Sequence, residues 1–108
     1  MKFPILIVPA LPASGMALFP FILLKNRQLK KDVMVLNHEK IHLRQQLELL
    51  ILPFYIMYLI HYLINLIRYK NHHQAYMRIV FEKEAYKMDA DLEYLNHRKF
   101  WSWLHFLT

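Results

Sequence analysis

The chain has 108 residues, 14 Lys and Arg against 8 Asp and Glu (net charge +6), 56% apolar residues and 15% aromatics. That length allows one domain with a small core, and the greasy composition rules out a disordered polyelectrolyte. With no cysteine, a single glycine at Gly15 and serine only at positions 14 and 102, there is no thiol chemistry, phosphate-cradling glycine loop or serine nucleophile elbow. Chemistry must come from His, Glu, Asp, Tyr or Arg.

Residues 3–24 are uncharged and lead into the basic run Lys25, Arg27, Lys30 and Lys31. Pro4, Pro9, Pro12 and Pro20 would break any long helix there, so no cleavable signal peptide is expected and the chain is assigned as cytoplasmic or membrane-associated. Phe3–Val8 reads as a short strand, Leu11–Gly15 as a turn and Met16–Lys25 as a second extended segment, with Pro20 marking an edge strand. Val33–Leu36 reads as a short third strand. From Asn37, as N-cap, the pattern turns helical. One helix is expected over residues 38–52, closed at Pro53, a second over 54–69, and a third over 74–96. The expected fold is mainly α, in the α+β class. An extended part (1–36) precedes a three-helix core (37–97) and an aromatic tail (98–108), within one domain.

The informative string is Asn37-His38-Glu39-Lys40-Ile41-His42, an H-E-x-x-H motif at a helix start. Residues four apart lie one above the other on a helix, so both imidazoles can reach one metal ion while Glu39 stands beside it, free to take a proton from water. Chance matches from seven His and five Glu in this chain number roughly 0.02. A catalytic zinc needs a third protein ligand and an open position.

With Phe81-Glu82-Lys83-Glu84-Ala85-Tyr86 on a later helix, the chain resembles the gluzincin zinc metallopeptidases, and most closely their smallest, minigluzincin-like members. The resemblance covers about residues 19–95 as architecture and six or seven residues as motif. It implies His38, His42 and Glu82 as ligands of Zn2+, with Glu84 as the alternative third ligand, and Glu39 as general base and acid. It also implies a zincin-like fold and hydrolysis of peptide bonds in a peptide or protein substrate. Where many relatives carry an Asp four residues after the ligand glutamate, this chain has Tyr86. Asp89, seven residues from Glu82 on the same helical face, is the expected partner orienting a ligand histidine. An oxyanion-stabilising group is sought among Tyr86, Tyr76, His72 and His73, and Phe19–Leu24 is the segment expected to pair with a peptide as an added strand.

Residues 49–67 are uncharged, close to the ~20 residues of a membrane span. Tyr55, Tyr58, His61, Tyr62 and Asn65 interrupt the run, and a span would put His42 and Glu82 on opposite sides of a bilayer. A buried or membrane-surface helix is therefore expected. The tyrosine stripe reads as core packing or an interfacial belt, and His61 as a satisfied core histidine. The aromatic tail reads as a cap over the core, with an interface anchor or a segment lying in the cleft as alternatives. The basic runs accompany no recognition motif, so no nucleic-acid partner is expected, and oligomeric state is left open. The rival function is a small membrane-associated helical protein whose metal site is structural or catalytically silent.

Overall fold

The computed structural model describes residues 3–107. Three short strands, β1 (Ile5–Ile7), β2 (Gly15–Leu18) and β3 (Phe21–Leu24), form a sheet of order β1-β3-β2. β3 runs parallel to β1 and antiparallel to β2. The expected single segment over residues 16–25 is thus a hairpin, with Phe19 and Pro20 in its turn. Proline has no N–H for a ladder, and a turn asks for none, so Pro20 marks the hairpin bend rather than an edge strand. Ala17, Ile22 and Leu24 pack with Leu43 in one core cluster.

A 3₁₀ turn (Arg27–Lys31) leads to α1 (Val33–Glu48). The helix starts before Asn37 because Asp32 Oδ1 accepts the Met34 and Val35 amides, at 3.1 and 3.2 Å. That cap overrides the strand preference of Val33–Leu36, which become the first turn. Asn37 is no cap: its Nδ2 donates to the carbonyls of Asp89 and Asp91, each at 2.9 Å, and ties that later segment to α1.

Leu50 and Ile51 both take positive φ (61° and 66°), and the chain turns through 112° into α2 (Leu52–Tyr69). Pro53 therefore opens α2 instead of closing α1, at a position where its missing N–H costs nothing.

The expected third helix is three: α3 (His72–Met77), α4 (Val80–Met88) and α5 (Tyr94–His97). Ile79 is extended (φ −63°, ψ 131°), which lets the Val80 amide donate to His61 Nδ1 on α2 at 3.1 Å. His61 is accordingly satisfied, as expected, but it is half-buried rather than in the core, and it caps α4 from outside. A 3₁₀ turn (Ser102–Phe106) ends the described chain, and Trp103 packs on Phe81 with ring centroids 5.1 Å apart. Among the described residues no single helix is long and apolar enough to cross a membrane; α1 and α2 pass that test only as a bent pair.

Candidate metal centre

His38 and His42 lie one turn apart on α1, and Glu82 lies on the first turn of α4, all three buried. His42 Nε2 is 3.0 Å from Glu82 Oε1 and 3.2 Å from His38 Nε2, and His38 Nε2 is 3.2 Å from Glu82 Oε1. Ligands on a tetrahedral zinc, with bonds of about 2.0–2.1 Å, stand about 3.3 Å apart, so the triangle has nearly that size.

The outer atoms of the three side chains are each held. His38 Nδ1 pairs with Asp89 Oδ2 at 3.1 Å, and Tyr58 donates to Glu82 Oε2 at 2.5 Å. His42 Nδ1 meets Gln45 Oε1 at 2.8 Å. Gln45 Nε2 donates to the Phe81 carbonyl (3.1 Å) and Glu84 Oε1 (2.8 Å), which fixes the amide so that only its oxygen faces His42. Both Nδ1 atoms are therefore the protonated ones, and both Nε2 lone pairs point inward. Three acceptor atoms then face one another with too few protons to join them. A proton on His42 Nε2 serves two edges of the triangle and leaves His38 Nε2 against Glu82 Oε1 as acceptor on acceptor. A cation satisfies all three atoms at once, and this donor set fits zinc.

The electrostatics agree with that proton count. Burial would lower the His42 pKa, but the charge and hydrogen bond of Glu82, with Glu39 and Gln45, push it up to about 9. Burial would raise Glu82, yet His42, His38 and Tyr58 hold it well below its ordinary value. A metal taken up here would have to displace a proton from His42 at neutral pH, and its affinity would rise with pH up to that point.

Glu39 faces a cleft of about 200 Å³ that also meets His38, His42, Glu82, Phe54, Tyr58 and Tyr76. Burial raises the Glu39 carboxyl above its ordinary value, against the charges of His42 and His38, and Glu82 adds to the rise. Gly15 makes room for it: a Cβ there would stand 3.0 Å from Glu39 Oε2. Tyr76 lines the cleft directly, whereas Tyr86 lies beside it, its ring on His38 (centroids 4.4 Å) and its hydroxyl 2.8 Å from that of Tyr76. Burial keeps the Tyr76 phenol protonated, with Glu82 adding to the effect. His72 is engaged by the Tyr62 hydroxyl at 2.8 Å, and neither it nor His73 lines the cleft.

Glu84 does not join the histidines. Its carboxylate is buried with Arg98, Tyr94 and Gln45, and Arg98 also pairs with Glu48. The tail caps the core through this cluster and Trp103, and none of its described residues lines the cleft.

The strand expected to receive a peptide is corrected. β3 is central and paired on both sides, so it offers no edge. β2 forms the cleft wall. Ile22 N donates to the Pro4 carbonyl and Lys25 N to that of Ser14, so the backbone groups of Gly15, Ala17 and Phe19 face outward. Gln46 covers part of this edge, donating to the Ala17 carbonyl and accepting the Phe19 amide, each at 2.9 Å. Tyr55 also donates to Ala17, at 2.7 Å. The tyrosine stripe of α2 is therefore part of the site's frame, which its helical spacing alone did not separate from core packing. Gln45, Gln46 and Tyr58 carried no motif; their one sequence signal is a place one turn from His42 or on the stripe.

No protein-family model, curated protein or solved structure matches this chain.

Proposed function

We propose that the protein is a zinc-dependent peptidase of zincin-like design, with His38, His42 and Glu82 as ligands and Glu39 as the acid–base group. The observation that carries the reading is the inward-facing, proton-deficient triangle of His38, His42 and Glu82 beside a buried carboxylate that has no partner in the triangle. Bound there, zinc supplies Lewis acidity to water and to a substrate carbonyl. Glu39, with its raised pKa, takes a proton from the attacking water and returns it to the leaving amine nitrogen as the C–N bond breaks. Tyr76, or Tyr86 through it, supplies an O–H donor for the oxygen that gains charge. The outer edge of β2 offers an extended peptide the free backbone groups of Gly15 and the Ala17 amide.

The test pairs metal analysis with hydrolysis of internally quenched peptides. Wild type should hold about one zinc per chain. His42→Ala should lose it, and Glu39→Gln should keep it while losing about 10²–10⁴-fold in rate. A Glu39→Gln variant that cleaves like wild type, or metal-loaded protein that cleaves no peptide, overturns the reading. The second of these favours the rival, a membrane-associated helical protein with a silent site.

A further inference from the structure

α2 is built inside out. Its protein-facing side holds the polar groups: Tyr55, Tyr58, His61, Tyr62 and Asn65 each make a hydrogen bond to another element. Its outer side holds Leu52, Ile56, Ile60, Leu63, Ile64 and Ile67, all exposed, Ile67 to 77%. This stripe runs for about 22 Å without a charge. The C-terminal turn widens it, since Leu104 and Leu107 meet Ile60 and Ile64 across an apolar groove of about 390 Å³. A helix facing water alone would carry the opposite pattern.

The charges around the stripe indicate what covers it. Five of the eight carboxylates are buried: Glu39, Glu48, Glu82, Glu84 and Asp89. The surface keeps only Asp32, Asp91 and Glu93, against twelve basic side chains in the described residues, with Arg98 the one buried cation. Arg68 and Lys70 stand at the end of the stripe, and exposed Lys99 precedes Phe100 and Trp101. Two copies meeting face to face would bring like charges together, whereas an anionic lipid surface offers an apolar interior and opposite charge at once.

We infer that the outer face of α2 and the C-terminal turn embed in the surface of an anionic lipid bilayer, with α2 lying in the membrane plane. The cleft stays free, because Tyr55 and Tyr58 line it from the opposite side of the same helix. This inference does not rest on the metal or on peptidase activity.

Flotation with phosphatidylcholine vesicles, with and without phosphatidylglycerol, tests it at low salt on the full chain. Wild type should float with the phosphatidylglycerol vesicles. The double variant Ile60→Gln/Ile64→Gln, which keeps the net charge and is folded by circular dichroism, should partition roughly 10- to 100-fold less, as expected for losing the burial of apolar side chains. If that variant fails to fold, Ile67→Gln at the most exposed position of the stripe replaces it, read the same way. Unchanged partitioning of the folded variant would mean charge alone attracts the protein, and would overturn the inference. So would wild type that does not float, whether it is a monomer or a dimer that the variant dissociates.

Discussion

Replacing Gln45 with methionine keeps the side chain's length and removes its polar ends from a site that is fully buried. The His42 Nδ1–H loses its partner, while the Phe81 carbonyl keeps its bond in the α4 ladder and Glu84 keeps Tyr94 and Arg98. One buried N–H left unpaired puts the loss of stability at about 1–3 kcal/mol. The effect on the site is separate. Without the fixed amide oxygen the His42 ring is free to rotate and to move its proton to Nε2, and zinc affinity should fall about 10–100-fold. Competition against a chromophoric chelator reads the affinity, and thermal unfolding of the metal-free protein reads the stability. Ile22→Ala is the control: it empties part of the cluster of Ala17, Leu24 and Leu43, to which no metal-site histidine belongs, and should cost about 2–5 kcal/mol without changing zinc affinity. Zinc binding by Gln45→Met as tight as wild type would refute the claim that this amide sets the ring.

Two further outcomes are expected. Arg98→Met leaves Glu48 and Glu84 buried without their cation and should destabilise by about 3–5 kcal/mol in urea unfolding at neutral pH. In the native chain burial raises Glu84, but hydrogen bonds from Arg98, Tyr94 and Gln45 outweigh it and hold its pKa below 4.5. Its stabilisation is therefore present above pH 4.5 and lost as pH falls through the native value, whereas in the variant burial keeps Glu84 protonated to higher pH. The gap between the two proteins should narrow on acidification, and a gap unchanged down to pH ~3 would contradict the account. Lys70→Gly should stabilise by about 0.5–1 kcal/mol, because Lys70 ends α2 in the left-handed region (φ 54°, ψ 33°) that glycine adopts without strain. A lower melting temperature would count against it.

Much of the site's inner ring could be read from the chain because it obeys a local rule. His38, Glu39 and His42 are placed by helical periodicity alone, and an exposed start or a capped one leaves that spacing unchanged. The helix start at Val33 was hidden because a β-branched, apolar tetrapeptide and a good cap at Asp32 compete, and the cap won. The break of the third helix was hidden because residues 74–96 hold neither glycine nor proline. Ile79 is extended where the Val80 amide next to it donates to His61 of α2, a tertiary contact. The tyrosine stripe had a visible period but an invisible direction. Which side of α2 faces the protein is decided by hydrogen bonds to Ala17, Glu82 and His72, and those partners are 38, 24 and 10 residues away in the chain. Glu82 and Glu84 differ in the same way: they project from one short helix toward different neighbours, and only the packing of α1 and Arg98 separates them.

The Gln46 side chain acts at β2 as a neighbouring strand would, and so it shortens the edge left for a peptide bound as proposed. With Ala17 O and Phe19 N–H taken, the groups still open on that edge are those of Gly15 and the amide of Ala17. In the proposed peptidase, three such main-chain hydrogen bonds at about 0.5–1.5 kcal/mol each would by themselves give an affinity no tighter than about millimolar. A ledge this short does not gather a dilute substrate from solution. It suits encounters that are already crowded, such as two partners confined to one surface, where a millimolar interaction is enough because the local concentration is itself millimolar.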